Sequence, residues 1–295
     1  MLKRKLNLLG YASGLGGSDP GSAEGPLVLQ HSAYMTDLAK IGLGTQWQTI
    51  IHTEPNGMEK IDRIADACNK LAHYTNRLTN QKQFFLVLGG DHSCAIGTWS
   101  GVAHAKSQEG DIGLVWIDAH MDSHTHDTSI TGNIHGMPLA ALLGQGNVKL
   151  THIFTPSAKL KPENVCLIGV RSYESGEAAL LKQLGVRVFF IEEVKQRGLA
   201  VVFKEAVAIA TQRTRGYGIS IDMDSLDPLE APGTGTPEPN GISAEELIEA
   251  LKTVSHDKRL LAGEMVEFDP HHDRDQRTEK LIPKLITAMM VGKPC

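Results

Sequence analysis

Short, almost uninterrupted apolar runs alternate with longer amphipathic stretches along this chain. The runs at 84–88, 112–117, 165–170, 186–191, 218–221 and 261–266 are bounded by Gly, Asp, Arg or other polar residues. Continuous hydrophobicity of this length predicts strands buried on both faces, as in parallel sheets. The opening residues 1–10 read as a first strand. Helical periodicity predicts helices over 58–78, 176–184, 200–212, 243–254 and 279–290. Ser243 followed three residues later by Glu246 predicts a capping box. Strands alternating with helices imply an α/β fold with a mostly parallel sheet. In such sheets ligands bind beyond the carboxyl ends of the strands.

Three of the apolar runs end directly in acidic and imidazole residues. These are Gly89-Gly90-Asp91-His92, Asp118-Ala119-His120-Met121-Asp122 and Asp222-Met223-Asp224. Residues two apart in an extended segment share a side, so Asp118, His120 and Asp122 can converge, as can Asp222 and Asp224. Four carboxylates in one cleft repel each other, and two divalent cations cancel that charge. With His92 and His120, the set predicts a dinuclear site. Oxygen and imidazole donors without thiolate favour Mn²⁺, with Co²⁺, Ni²⁺, Fe²⁺ or Zn²⁺ as alternatives. Such a pair lowers the pKa of a bridging water and supplies hydroxide at neutral pH.

Two loops rich in Gly and Pro lie near these motifs. Residues 10–26 read as a flexible loop at a site mouth; Gly14-Leu15-Gly16-Gly17 lacks the lysine of a phosphate loop. Residues 228–241 read as a rigid loop placed after Asp222-Met223-Asp224. The charged stretch 269–277 reads as a solvated loop, and Arg171 as the partner of a nearby acid.

The chain has 295 residues and a net charge of -5, which argues against a nucleic-acid partner, since such proteins carry a basic face. No apolar stretch is long enough to span a bilayer. The basic start has too short an apolar core for a secretory signal. Cys68, Cys94, Cys166 and Cys295 are scattered with no Cys-x-x-Cys pair. That excludes a zinc knuckle and a disulfide framework, and the expected setting is a reducing cytoplasm.

Gly89-Gly90-Asp91-His92-Ser93 and Asp118-Ala119-His120-Met121-Asp122 open an ordered series. It continues with Gly132-Asn133-Ile134-His135-Gly136-Met137-Pro138, Ser220-Ile221-Asp222-Met223-Asp224, Gly235-Thr236-Pro237 and Val266-Glu267-Phe268-Asp269-Pro270. The series resembles the arginase, or ureohydrolase, family over nearly the whole chain. The resemblance implies one domain over residues 1–295, with a three-layer open α/β fold. Its central, mostly parallel sheet would have about eight strands flanked by helices. The resemblance further implies a homotrimer or homohexamer, two Mn²⁺ ions per chain and a small guanidino compound as substrate.

Carried over by position, the metal ligands would be His92, Asp118, His120, Asp122, Asp222 and Asp224. Asp122, His135 and Glu267 would be catalytic, with His135 a proton shuttle at the cleft mouth and Glu267 holding the guanidinium, whose parallel N–H donors match a carboxylate. His124, Thr131, Asn133, Glu174 and Thr236 would line the substrate pocket. The implied reaction is hydrolysis of L-arginine to L-ornithine and urea by a metal-bridging hydroxide, with Asp122 relaying its proton. Asn133-Ile134-His135-Gly136 matches the arginase form, whereas Gly233-Thr234-Gly235-Thr236-Pro237-Glu238-Pro239 is closer to the agmatinase form. Arg171-Ser172-Tyr173-Glu174-Ser175-Gly176-Glu177 departs from the family's Arg-Asp-x-Asp-x-x-Glu, and His124 stands where an Asn is usual. Hydrolysis of agmatine or 4-guanidinobutanoate is the sister reading, and a non-catalytic metal-binding homologue is the reading from another class.

Overall fold

A computed structural model describes residues 4–54 and 57–290. Its strands, in chain order, are β1 (Arg4–Ala12), β2 (Leu43–His52), β3 (Phe85–Gly89), β4 (Gly113–Ile117), β5 (Val165–Val170), β6 (Arg187–Phe190), β7 (Tyr217–Asp222) and β8 (Leu260–Val266). They form one sheet in the order β2-β1-β3-β8-β7-β4-β5-β6, and every neighbouring pair is parallel.

The continuous apolar runs are explained by burial on both faces. In β3, Leu86 and Leu88 join one core, while Phe85 and Val87 join the other. In β4, Val115 and Ile117 face one side, and Leu114 and Trp116 the opposite side. Helices cover both faces, giving the three-layer architecture.

The predicted strands form within a residue or two of their expected bounds. The run at 186–191 ends early because Ile191 starts the helix Ile191–Arg197. Residues 10–12, expected in a loop, continue β1; Met1, Leu2 and Lys3 lie outside the described residues. Among the elements that the pattern does not predict, two are central to the fold. β2 is an edge strand whose half-exposed residues mix Thr and Gln with Trp and Ile, so it lacks a continuous apolar run. The helix Cys94–Lys106 is buried nearly all round, so it has no polar face to give a helical period. A Cβ on its Gly97 would meet the Cys68 carbonyl oxygen at 2.6 Å, and one on Gly101 the Ala72 carbonyl oxygen at 2.2 Å. These glycines let it lie directly on the helix Lys60–Asn80.

The capping box expected at Ser243 does not form. Ser243 is the N-cap of Ala244–Lys252 but makes no side-chain cap bond. The Ala244 N–H donates instead to the Glu230 carboxylate, 3.3 Å from each oxygen. A capping box does form at Glu174 and Glu177, at the start of Ser175–Leu184.

Candidate metal centre and substrate cavity

The four central strands β3, β8, β7 and β4 carry the proposed site residues at their carboxyl ends. Ile117 of β4 pairs with Ile221 of β7. Asp118 and Asp222 therefore leave adjacent strands at one level. Asp222 pairs with Val266 of β8, which puts Glu267 one step beyond. His92 follows β3 on the other side of β8.

These residues converge. His92 Nδ1 lies 2.9 Å from Asp122 Oδ2, 3.0 Å from Asp222 Oδ2 and 3.3 Å from Asp118 Oδ2. His120 Nδ1 lies 3.1 Å from Asp224 Oδ2 and 3.5 Å from Asp118 Oδ1. Two ligand sets result, His92–Asp118–Asp222 and Asp118–His120–Asp224, each with its donor atoms within 4.8 Å of one another. Asp118 belongs to both and turns a different oxygen to each.

The convergence does not come from strand alternation. β4 ends at Ile117, and residues 118–122 are not strand. Met223–Ser225 form a 3₁₀ turn, in which the Asp224 N–H donates to Asp222 Oδ1 at 2.9 Å. The His120 N–H likewise donates to Asp118 Oδ1 at 2.7 Å. Asp122 has a left-handed backbone (φ 48°), as does Glu267 (φ 62°). Non-glycine residues adopt that conformation at a cost and cluster at functional sites.

The charge balance of this group suits divalent cations. Burial alone would lower the His92 and His120 pKa, but the carboxylates around them hold both well above the ordinary value. Burial, then the charge of Asp224 and Asp118, pushes Asp222 well up. Burial and Asp118 push Asp122 to about 6. Asp118 is buried too, yet the hydrogen bonds of His120 and His92 hold it well below the carboxylate range. A cluster that draws protons onto its imidazoles and carboxylates is one where a cation competes for the same lone pairs.

Residues outside the predicted set hold the ligands in place. The Ser220 hydroxyl donates to Glu264 Oε1 at 2.8 Å and so accepts from His92 Nε2–H at 2.9 Å. This commits Nε2–H to Ser220 and makes Nδ1 the ring nitrogen turned to the carboxylates, the one a metal would bind. Trp116 stacks on His92 at 4.1 Å and donates Nε1–H to Asp118 Oδ2 at 2.8 Å. A glutamate inside the otherwise apolar run 261–266 was the sequence signal for Glu264. Ser220→Ala is expected to weaken metal binding about 10–100-fold, measured by competition with a chelator. Unchanged affinity would mean that the ring is fixed by other contacts.

A cavity of about 190 Å³ opens over this group. His120, Asp122, Asp222, Asp224, Thr236 and Glu267 line it, together with Thr131, Asn133, His135, His124, Glu174 and Glu177. Glu267 Oε1 accepts the His92 N–H at 2.7 Å and lies 3.1 Å from His135 Nδ1. Burial opposes ionisation of Glu267, but His135 and the His92 N–H hold its pKa down. Thr236 donates its hydroxyl to Asp224 Oδ2 at 2.9 Å, and Asn133 Nδ2 donates to Ser18 Oγ at 2.8 Å. At the outer end the Glu174 carboxylate is in close contact with His124 Nε2, which is also 3.3 Å from Glu177 Oε2.

Three expectations about the surroundings change. The loop expected to be flexible at residues 10–26 is pinned. Gly16 N donates to Asp91 Oδ2 at 2.9 Å, and Gly16 O accepts His135 N–H at 3.2 Å. Arg171 is not simply the partner of an acid: its guanidinium donates to the carbonyls of Gly169, Asp224, Ser225, Leu226, Glu238 and Pro239. It thereby ties the turn carrying Asp224 to the loop carrying Thr236. The stretch 269–277, expected to be solvated, begins with the buried Asp269. Cys68, Cys94 and Cys166 are buried free thiols. Among the described residues, no helix is long and apolar enough to cross a membrane.

The model of the Arginase family matches residues 4–292. The chain is 37% identical to an arginase of Brevibacillus brevis over 99% of both chains. It is similar to the solved structure of Bacillus caldovelox arginase, with a TM-score of 0.91 and 33% identity, covering 99% of this chain and 100% of the other. It also matches an Entamoeba histolytica arginase solved in complex with L-ornithine, with a TM-score of 0.89, 28% identity and coverage of 98% and 99%.

Proposed function

Because the chain belongs to the arginase family and is a ureohydrolase, we propose that it hydrolyses the guanidinium group of L-arginine to L-ornithine and urea. One observation carries the reading: two ligand sets share Asp118 beneath a cavity whose wall bears Glu267 and whose outer end bears Glu174 and His124. The related Entamoeba structure holds L-ornithine, the product this reaction would release.

The family is metal-dependent, and the residues fit a pair of Mn²⁺ ions, with Co²⁺ or Ni²⁺ as substitutes. His92, Asp118, Asp122 and Asp222 would hold one ion, and Asp118, His120 and Asp224 the other. When bound, such a pair lowers the pKa of water and supplies a nucleophile at neutral pH. Glu267 faces the substrate cation and places its carbon, complementing its charge. Asp122 takes a proton from the attacking water. As the new C–O bond forms and the bond from that carbon to the side-chain nitrogen breaks, Asp122 passes the proton to the leaving amine. His135, hydrogen-bonded to Glu267 on the same wall, completes proton delivery to the amine. Thr236 orients Asp224 through its hydroxyl. Thr131, Asn133 and His124, which stands where an Asn is usual, meet the α-carboxylate, and Glu174 meets the α-ammonium. Assembly as a homotrimer or homohexamer belongs to the same reading.

Urea release from L-arginine, agmatine and 4-guanidinobutanoate by metal-loaded protein tests the assignment. L-arginine is expected to be preferred over agmatine, which has no α-carboxylate and leaves those polar groups unpaired. Thr131 and Glu174 are exposed, the Glu174 side chain by 58%, so water takes up the unused groups and the expected preference is that of an exposed ion pair, about 0.2–1 kcal/mol, or a few-fold in kcat/KM. Glu174→Gln is expected to reduce arginine turnover while barely changing any agmatine turnover. Equal or faster release from agmatine or 4-guanidinobutanoate would replace the arginine assignment by the sister activity. The close contact between Glu174 and His124, which occupies the acid, is the observation that favours that alternative.

A further inference from the structure

We propose that Asp19, Asp269 and His272 form a third divalent-cation site, separate from the paired ligand sets, that joins two loops beside the cavity. Asp19 lies on the N-terminal loop whose Gly16 contacts His135. Asp269 and His272 lie on the loop that begins with Glu267. His272 Nε2 is 2.9 Å from Asp19 Oδ2 and 3.8 Å from Asp269 Oδ2, and the three donor atoms lie within 4.8 Å of one another.

An independent observation points to a ligand here. Asp269 is only 1% exposed. Its Oδ1 accepts the His271 N–H at 2.8 Å, but its Oδ2, the oxygen turned to His272, has no hydrogen-bond partner. Gly21 leaves the room for that oxygen: a Cβ there would meet Oδ2 at 2.3 Å. The next residue, Ser22, is also buried with an unpartnered hydroxyl. So is Thr234, which follows Gly233, the residue whose carbonyl accepts the Asp269 N–H at 3.0 Å. Of five buried side-chain polar atoms without a hydrogen-bond partner among the described residues, three thus lie on the segments that meet at Asp269. Native structures pair such atoms with protein, water or an ion.

The donor set selects the ion. Two carboxylates and one imidazole, without thiolate, suit a first-row divalent ion such as Mn²⁺ or Zn²⁺ better than a soft ion. A doubly positive ion balances the two carboxylates. Asp19 and His272 are half exposed, so water completes the coordination and the ion exchanges with solvent. Bound there, it would fasten the loop that touches His135 to the loop that presents Glu267.

The test is the Mn²⁺ content of the full chain after equilibrium dialysis, by elemental analysis. About three equivalents are expected for the unmodified chain and about two for His272→Gln and for Asp19→Asn, with urea release by both variants retained. The half-exposed positions of these residues leave the fold intact, which circular dichroism checks. Asp118→Asn separates the site from the paired one: it is expected to keep a Mn²⁺ equivalent that disappears when His272→Gln is added. Should the paired site bind fewer ions than proposed, the equivalent lost with His272→Gln would still be seen. Equal Mn²⁺ content in the unmodified chain, His272→Gln and Asp19→Asn would overturn the proposal and leave an ordered water as the partner of Asp269.

Discussion

Replacing Asp118 by asparagine is expected to remove both proposed metal ions of the paired site and reduce urea release by roughly 10³-fold or more. The magnitude follows from the several kcal/mol of transition-state stabilisation that bound metal supplies. The position follows from geometry. Asp118 is fully buried, and its two oxygens face different histidines, Oδ2 towards His92 and Oδ1 towards His120. An amide there keeps the shape but turns an NH₂ group to one ligand set and removes a negative charge from both. Trp116 Nε1–H and His120 N–H already donate to these oxygens, so either orientation of the amide sets a donor against a donor. Asp224→Asn, by contrast, touches only the His120 set and is expected to spare one ion. Metal content and urea release measured on the same preparations decide the matter. Two retained ions in Asp118→Asn would mean that the sets do not share this residue.

The central part of this site was legible in the sequence because chemistry and fold speak through the same short segments. An apolar run that stops at Asp or His is a buried parallel strand reaching its carboxyl end; three such ends, with that of β8 at Glu267, are neighbours in the sheet. What sequence could not supply was the path of the chain after each strand. The alternation expected for Asp222 and Asp224 is really a 3₁₀ turn, and Asp122 owes its direction to a left-handed backbone. The first is closed by a local bond from Asp224 N–H to Asp222 Oδ1, whereas the Asp122 carbonyl accepts the Leu139 N–H from a later segment. The helix Cys94–Lys106 was missed because burial on all sides erases the periodicity by which a helix shows itself. Charge alone does not tell an arginine's partner or a carboxylate's burial: Arg171 reads as the partner of an acid, and Asp269 as part of a solvated stretch. Here one charge is used up by backbone carbonyls, and the other is shut in beneath Gly21. The His124–Glu174 contact lies between residues fifty positions apart, and no local pattern announces it.

Replacing His135 by alanine is expected to lower kcat about 10²–10⁴-fold, the usual worth of general acid–base assistance, with metal content unchanged. His135 belongs to neither paired ligand set. It is held by its own N–H on the Gly16 carbonyl and by its ring on Glu267. Burial would lower its pKa, but the hydrogen bond and charge of Glu267 outweigh burial and push it up to about 9. The ring therefore carries a proton at neutral pH. A substrate guanidinium arriving at Glu267 draws on the same carboxylate and weakens its hold on the imidazolium, which makes that proton easier to give to the leaving amine. Proton donation and mere support of Glu267 make different predictions. His135→Gln keeps a hydrogen-bond donor for Glu267 but has no proton to transfer. If His135 donates, His135→Gln is as slow as His135→Ala, and the fall of kcat/KM on the alkaline side, where the imidazolium loses its proton, disappears from both variants. If glutamine instead restores turnover and leaves that alkaline limb in place, His135 only positions Glu267. A loss of metal from His135→Ala would make it a ligand, contrary to the geometry.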